Sequence, residues 1–290
     1  MNNIEIRGVT KRYKNNVKGL DSVTFSIGSG VFGLLGHNGA GKTTLMKAIA
    51  TILKPTSGTI TVMGHDTIRE GNAVRKNIGY LPQELSMYPN LSVFDFVSYM
   101  AGLKGIREKA EVQKALEQVD MQDFSRRKIG QLSGGMKRRV GIAQALVGNP
   151  QILIVDEPTA GLDPEERVRF RSVLSRFAKD GRTVLLSTHL VEDVYQLSKR
   201  LAVLRKGKLF FTGTSQQLLR SVHGKIKTLN LNGDQELLEL QKKAVVISTT
   251  YEGNQIKVRF VDENNAYSVS PVAETLEDAY VYCMGGKAHE

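Results

Sequence analysis

The chain has 290 residues, 41% of them hydrophobic and 24% charged, a balance that is typical of a globular protein. Its single cysteine, Cys283, excludes an intrachain disulfide framework and favours a reducing compartment such as the cytosol. No apolar run approaches the ~18 residues that span a bilayer, and residues 1–10 lack the layout of a signal peptide. We therefore expect any membrane role to require another chain.

The net charge of +11 is unevenly distributed along the chain. Residues 215–290 contain 8 basic and 10 acidic residues, so the positive charge lies in the preceding part. A positively charged region of this kind favours anionic ligands or an anionic lipid surface, and it leaves nucleic acid open as a partner. A solvated basic surface without any partner explains the charge equally well.

Short apolar strands alternate with longer helical patterns over residues 1–222, which predicts an α/β fold with a mainly parallel sheet. Between about residues 84 and 150 the periodicity is helical without a strong strand, so we predict a helical subdomain inserted into the α/β core. A hairpin turn is expected near Gly207. The predicted strands are residues 4–6, 31–35, 59–62, 78–81, 152–155, 183–187, 200–204 and 209–212.

Residues 223–290 differ in composition and are predicted to form a small α+β accessory domain. Strands are expected at residues 227–231, 245–249 and 255–261, and a hairpin turn at Gly253 and Asn254. One helix is predicted around Leu237, Leu238 and Leu240, and an amphipathic helix that docks back onto the main body or a partner is predicted to begin near Thr275.

A glycine-rich phosphate-binding motif, G-x-x-x-x-G-K-[ST], lies between a predicted strand and a predicted helix. Glycines let the backbone wrap around phosphates, and the amides at the helix start point at the anion. Lys42 is expected to contact the β- and γ-phosphates, and Thr43 to bind Mg²⁺. His37 occupies a position that the motif leaves free. The residues predicted to surround the phosphates are Gly36, His37, Asn38, Gly39, Ala40, Gly41, Lys42, Thr43 and Thr44.

Two carboxylates follow the apolar strand at residues 152–155. Ligands of open α/β sheets bind at the carboxyl ends of the strands, so Asp156 is placed to hold Mg²⁺ through its water shell. Glu157 reaches a different point and suits activation of an attacking water. Taken alone, this pair would more often be two exposed acids at the end of a strand.

A second phosphate-binding element follows Leu132, where Ser133, Gly134 and Gly135 open a predicted helix. A hydroxyl and free amides at the positive end of a helix attract an anion. One nucleotide does not need two such loops about 90 residues apart in sequence. We therefore expect each loop to bind a different nucleotide, with two chains meeting head-to-tail.

These elements resemble those of the ATPases of ABC transporters over about residues 1–222. Residues 36–44 resemble the Walker A loop, residues 152–157 the Walker B strand, and residues 132–135 the signature motif. Smaller elements occur in the same order as in the family. They are Tyr13, similar to the adenine-stacking aromatic residue; Gln83, similar to the Q-loop glutamine; Asp163, similar to the D-loop aspartate at the dimer seam; and His189, similar to the switch histidine.

The resemblance implies a P-loop ATPase with an ABC-type mixed sheet, and it implies ATP and Mg²⁺ as cofactors. Catalysis would fall to Glu157, His189, Lys42 and Gln83, and Mg²⁺ to Thr43, Gln83 and Asp156. The expected partners are a second cassette, forming a homodimer when ATP binds, and an integral membrane permease. The protein would then lie at the cytoplasmic face of the membrane, and no nucleic acid is expected. The residues implied to bind the nucleotide outside the Walker A loop are Tyr13, Ser133, Gly134, Gly135 and Asp163.

Residues 275–282 also resemble the closing segment of bacterial export-type ATPases of the drug, bacteriocin-immunity and sodium efflux groups. Export is therefore the expected direction, although neither the cargo nor the identity of the second cassette follows from the sequence. Two alternatives stay open. A soluble ABC ATPase acting on nucleic acid would use the basic body, and a regulatory module would bind ATP without turnover, against which Glu157 argues.

Overall fold

The computed structural model describes residues 2–14, 17–159, 161–179, 181–253 and 255–285. Short 3₁₀ turns at Gln122–Phe124 and Ile129–Gln131 accompany the regular elements. The strands are β1 (Ile4–Arg12), β2 (Lys18–Ile27), β3 (Gly30–Leu35), β4 (Ser57–Val62), β5 (His65–Asp66), β6 (Ile78–Leu81), β7 (Ile152–Asp156), β8 (Thr183–Thr188), β9 (Arg200–Arg205), β10 (Lys208–Thr214), β11 (Ile226–Leu231), β12 (Val245–Glu252) and β13 (Gln255–Val261). The helices are α1 (Lys42–Ile49), α2 (Gly71–Asn77), α3 (Val93–Leu103), α4 (Lys109–Gln118), α5 (Gly134–Leu146), α6 (Pro164–Phe177), α7 (Val191–Leu197), α8 (Ser215–Arg220), α9 (Asp234–Lys243) and α10 (Leu276–Gly285).

The main sheet has six strands in the order β10-β9-β3-β8-β7-β6, and all neighbours are parallel except the β9–β10 hairpin. Its central strands are continuous apolar runs because helices cover both faces, and every residue of β7 and β8 is buried. This confirms the expected α/β fold. The carboxyl ends of β3, β7 and β8 meet at one edge, where the chemistry-bearing residues lie.

A second, antiparallel sheet has the order β2-β1-β4-β5. Ile4 of β1 pairs with Ile27 of β2 on one side and with Val62 of β4 on the other. The assignment of residues 4–6 and 59–62 to a mainly parallel sheet was therefore wrong, and β2 was not predicted. Buried and exposed residues alternate in these strands because only one face meets the core.

The region around residues 84–150 is helical, as expected, with α3, α4 and α5 packed on one another and against the main sheet. Their apolar side chains form one cluster with Leu153 and Val155 of β7. The ammonium group of Lys104 joins the ends of α3 and α5 by donating to the carbonyl oxygens of Gln144, Ala145 and Val147. Every helix among the described residues falls short of the length and hydrophobicity that crossing a lipid bilayer requires.

The last part of the chain has an antiparallel sheet in the order β11-β13-β12, with α9 against it. The three strands and both helices that the sequence predicts here are confirmed. Glu252 pairs with Gln255, as a two-residue hairpin requires, and Gly253 has a positive φ of 61°. Asn254 lies outside the described residues.

Helix α10 docks back onto the main body, against α7, α8 and β9. Leu276, Ala279 and Cys283 of α10 share a hydrophobic cluster with Leu201 and Val203 of β9. Its first turn is held by Asp278, whose carboxylate accepts hydrogen bonds from Arg259 at 2.8 and 2.6 Å. The predicted docking is confirmed, whereas the division into domains at residue 222 stays a prediction.

Candidate active site

The phosphate loop, residues 36–44, connects β3 to α1, which is the strand–loop–helix arrangement that the sequence predicted. Gly41 precedes the helix with φ of +105°, a conformation that side chains other than glycine rarely adopt. A Cβ atom at Gly41 would also lie 2.5 Å from the carbonyl oxygen of Gly19. The absence of a side chain at Gly41 therefore lets the chain turn tightly into α1, and the amides at the start of such a helix are suited to binding an anion.

Lys42 is almost fully buried beneath this loop. Its ammonium group donates to the carbonyl oxygen of Gly36 at 2.7 Å and to that of His37 at 3.2 Å. The same nitrogen lies 3.1 Å from Oε1 of Glu157. The cation is thus fixed between the phosphate loop and the acidic end of β7.

Asp156 ends β7 and is completely buried. Its Oδ1 atom accepts a hydrogen bond of 2.5 Å from the hydroxyl of Ser187 on the neighbouring strand β8. Its Oδ2 atom is buried without a hydrogen-bond partner. A buried carboxylate oxygen without a partner is costly, so this atom fits a metal-bound water as its missing donor.

The backbone of Glu157 is unusual because its φ is +45°, in the left-handed region. Its N–H donates to the carbonyl oxygen of Ser187 at 3.1 Å and to the hydroxyl of the same residue at 3.0 Å. Its side chain places Oε2 3.3 Å from Nδ1 of His189, the first residue after β8. Lys42 and His189 therefore flank the two oxygens of one carboxylate.

The described residues include no group of three or more His, Cys, Asp or Glu side chains that could hold a metal ion by themselves. Mg²⁺ does not require such a cage, because it keeps several waters and binds through one or two protein oxygens together with phosphates. The free oxygen of Asp156 meets that requirement. The residues present at this edge therefore fit Mg²⁺ bound together with a nucleotide.

Tyr13 follows β1 and lies beside the phosphate loop. Its hydroxyl is 3.0 Å from Oγ1 of Thr44, and the ammonium nitrogen of Lys11 lies 5.7 Å from the centre of its ring. The side chain is 41% exposed, so part of the ring is accessible to a ligand beside the loop.

The signature loop, residues 132–135, begins α5. Ser133 is the N-cap of this helix, and its hydroxyl accepts from the amide of Met136 at 3.2 Å. Among the described residues, no hydrogen bond or ion pair joins Ser133, Gly134 or Gly135 to the phosphate loop. Asp163 likewise caps α6, where its carboxylate accepts from the amide of Glu166 at 2.8 Å.

Arg138 was not among the predicted site residues, yet it contacts two of the predicted segments. Its guanidinium donates to the carbonyl oxygens of Gln83 at 2.6 Å, Glu157 at 2.8 Å and Pro158 at 3.0 Å. The only signal in the sequence was its place three residues after Gly135. Ser187 was also missed, although it directly precedes Thr188 and His189 at the end of a predicted strand.

Buried charge shapes the electrostatics of this edge. Burial raises the pKa of Tyr80 to about 12, and the charge of Asp156 adds to the effect. Burial lowers the pKa of Arg138, and the nearby charges of Asp156 and Glu157 oppose that shift. The phenol therefore stays neutral near pH 7, while the guanidinium keeps its charge.

Comparison with known proteins places these features in one family. The family model described as ABC transporter matches residues 20–160. The daunorubicin resistance ATP-binding protein DrrA3 of Streptomyces coeruleorubidus is 38% identical over 228 residues, which are 76% of this chain and 71% of that protein. The probable multidrug ABC transporter ATP-binding protein YbhF of Escherichia coli is 31% identical over 98% of this chain, which spans 52% of YbhF.

Solved structures agree with the sequence relatives. The dimeric structure of MJ0796, a bacterial ABC transporter cassette, is 27% identical with a TM-score of 0.66, covering 73% of this chain and 98% of that one. A post-hydrolysis structure of the same cassette, dimeric and bound to ADP and Pi, is 26% identical with the same TM-score. From the phosphate loop, the acidic end of β7 and these similarities it follows that the chain belongs to the ATP-binding proteins of ABC transporters and is an ATPase.

Proposed function

We propose that this chain energises export through a separate membrane permease, by closing head-to-tail on a second copy of itself around two ATP molecules. One observation carries the proposal. Lys42, Asp156, Glu157 and His189 lie together at one edge of the sheet, whereas no hydrogen bond or ion pair among the described residues joins the signature loop to them. A second chain supplies the missing signature loop to each site.

In this proposal the phosphate loop and Lys42 bind the phosphates of ATP, and the ring of Tyr13 stacks on the base. Ser133, Gly134 and Gly135 of the second copy donate to the γ-phosphate from the opposite side, near Asp163. Both nucleotides are then enclosed, which excludes bulk water and strengthens every charge interaction in the site. Binding of ATP drives closure because the closed dimer alone makes both sets of contacts.

Hydrolysis follows from the placement of Glu157. Its carboxylate accepts a hydrogen bond from a water, orients it for in-line attack on the γ-phosphorus and takes its proton, while the bond to the β–γ bridging oxygen breaks and ADP leaves. Lys42 and His189 stabilise the charge that develops on the transferring oxygens. Mg²⁺, held by Thr43, Gln83 and the free oxygen of Asp156, would neutralise phosphate charge. Loss of the γ-phosphate removes the bridge between the two copies, so the dimer opens.

The direction and partner are inferred from the relatives. DrrA3 is described as a resistance protein and YbhF as a probable multidrug transporter protein, which favours export. The permease would hold this chain at the cytoplasmic face of the membrane, and the segment around Gln83 would transmit closure to it. The named relatives are transporter proteins, so we do not retain the alternative of an ATPase acting on nucleic acid.

The first test is the oligomeric state of Glu157→Gln by size exclusion with light scattering. We expect a dimer with ATP and Mg²⁺ and a monomer with ADP, because the variant binds ATP but turns it over slowly. Lys42→Ala is the matched control, and it should remain monomeric with either nucleotide. A Glu157→Gln variant that binds ATP tightly and stays monomeric would exclude the symmetric dimer.

A complementation experiment tests the head-to-tail arrangement directly. Gly134→Asp should fold, because no atom lies within 4 Å of a Cβ at this position, but its carboxylate would repel the γ-phosphate. Lys42→Ala disables the other half of the site. A mixture of the two variants should hydrolyse ATP faster than either alone, because one of the two sites in the mixed dimer is intact. No gain in the mixture would contradict the shared sites.

A further inference from the structure

Arg138 lies in the first turns of α5, a few residues after the signature loop, and its guanidinium is bound entirely to main-chain oxygens. The Nη2 atom donates to the carbonyl of Glu157, Nε to that of Pro158, and Nη1 to that of Gln83. One side chain thus joins the signature helix to the carboxyl end of β7 and to the segment that follows β6.

Arg138 binds the carbonyl oxygen of Glu157, a residue whose backbone conformation has to be enforced by its surroundings. A residue other than glycine in the left-handed region costs about 1–3 kcal/mol and persists only where its surroundings enforce it. Glu157 has φ of +45°. Ser187 fixes the amide of Glu157 from β8, and Arg138 fixes its carbonyl from α5. Both sides of this residue are therefore restrained, which fixes the direction in which its side chain leaves the backbone.

Arginine is chemically suited to this contact and lysine is not. The guanidinium is a rigid planar fork with several donors. An ammonium is a compact point charge, and it cannot donate to three carbonyls that lie apart on different segments. The acidic groups that face Arg138 are Asp156 and Glu157, and both attract its charge. Its three acceptors are neutral carbonyls, so their geometry and not their charge requires the fork.

We propose that Arg138 is a positioning residue, which orients Glu157 for hydrolysis and couples that orientation to the signature helix and to the segment at Gln83. This inference rests on the proposed role of Glu157. A movement of α5 when the signature loop binds a phosphate, or of the Gln83 segment when a permease binds, is transmitted through one guanidinium to the peptide of Glu157. ATP turnover therefore depends both on the contact of the signature loop with phosphate and on the contact of the Gln83 segment with the permease.

The test compares Arg138→Gln and Arg138→Lys in the full chain, with Arg126→Gln, an exposed arginine, as the control. Each is measured for kcat, for the Kd of a fluorescent ATP analogue and for the melting temperature. We expect kcat to fall about 10- to 100-fold in both Arg138 variants, because a small misplacement of a catalytic group has effects of this size. The Kd should change less than about two-fold, since no phosphate contact is removed. Arg126→Gln should match the wild type.

Hydrogen exchange provides a readout that simple loss of packing would not produce. In Arg138→Lys we expect faster exchange at the amides of Glu157, Thr159 and residues 83–86, with α5 unchanged. Retention of kcat within two-fold in both variants would overturn the inference, as would a uniform rise of exchange along α5. Glu157→Gln, measured in parallel, separates the two proposals. If it still turns over normally, the proposed role of Glu157 fails; if it is inactive while Arg138→Gln is normal, only the coupling fails.

Discussion

The ammonium nitrogen of Lys42 lies 3.1 Å from Oε1 of Glu157, and their side chains are only 4% and 8% exposed. The cation that we propose to bind phosphate and the carboxylate that we propose to act on water therefore share one solvent-shielded space. A γ-phosphate bound to Lys42 would come close to a second negative charge. Nucleotide affinity and turnover should consequently respond in opposite directions when this carboxylate is removed.

Glu157→Gln tests that relationship. We expect roughly five-fold tighter binding of a non-hydrolysable ATP analogue, or about 1 kcal/mol, because one like charge next to the phosphate is lost. Turnover should fall about 100-fold or more, because the amide cannot activate water. Glu192→Gln, an exposed acid near the start of α7, should leave both unchanged. Weaker binding in Glu157→Gln would show that the carboxylate supports the nucleotide site instead of opposing the phosphate.

His189→Ala should separate turnover from binding. Its imidazole lies 3.3 Å from Glu157 and is only partly buried, so it can reach a phosphate oxygen while Lys42 and the loop amides retain the nucleotide. We expect kcat to fall about 100-fold and the Kd for ATP to change less than about three-fold. His65→Ala is a matched control, because His65 also pairs with a carboxylate, Glu70, but in the antiparallel sheet. Equal losses in kcat and affinity would assign His189 to binding.

Tyr13 offers a comparison between its ring and its hydroxyl. If the ring stacks on the base, Tyr13→Ala should weaken ATP binding by about 1–3 kcal/mol, and Tyr13→Phe should stay within about two-fold of the wild type. Equilibrium titration with a fluorescent ATP analogue measures both. Tyr251→Ala, which removes an exposed tyrosine of β12, serves as the control. A Tyr13→Phe variant as weak as Tyr13→Ala would instead assign the effect to the hydrogen bond with Thr44.

Asp278 should make the attachment of α10 to β13 sensitive to acid. Burial alone would raise the pKa of this carboxyl, but the hydrogen bonds from Arg259 and Thr275 outweigh it and hold the pKa below its usual value of about 3.9. The folded form thus binds its proton less readily than the unfolded chain. The stabilisation is complete above about pH 4 and is lost as the pH falls through the lower folded value.

We therefore expect the free energy of unfolding to fall more steeply below about pH 4 in the wild type than in Asp278→Asn, so that the loss between pH 6 and pH 3 is larger in the wild type. At pH 7 the variant should be about 2 kcal/mol less stable, because Arg259 loses its charged partner yet keeps partial access to water. Urea unfolding at pH 7 measures the difference in stability between the wild type and the variant. Urea unfolding at pH 6 and pH 3 measures the difference in their pH dependence. Asp123→Asn, an exposed acid, should follow the wild type, and parallel pH curves for Asp278→Asn would contradict the assignment.

The phosphate loop and the end of β7 could be predicted because each is contiguous in sequence and directly follows a buried strand. The positions of Lys42, Asp156 and Glu157 then follow from the rule that parallel strands present their carboxyl ends at one edge. The same reasoning could not locate β1 and β4 correctly. Their alternating pattern indicates one buried face, but it does not identify the strand with which each pairs.

The contacts of Arg138 could not be predicted from the sequence for a different reason. Its acceptors are backbone carbonyls, which every residue has, so no side-chain pattern marks them. Ser187 could not be predicted for a similar reason. It faces Asp156 on the neighbouring strand β7, which is far from Ser187 in the sequence. Side chains that act on phosphate are recognisable by type and spacing, whereas the residues that orient them are recognisable only once the strands and helices are in place.

The left-handed backbone of Glu157 sets stability against activity at a single position. Glycine adopts this conformation freely, so Glu157→Gly would relieve the strain while removing the carboxylate that contacts both Lys42 and His189. A stabilisation strategy guided by backbone strain alone would choose that substitution and recover an inactive chain, in which the buried Lys42 has also lost its charged partner. Engineering for robustness has to leave this residue untouched and look for its gains in the antiparallel sheet or in the tail.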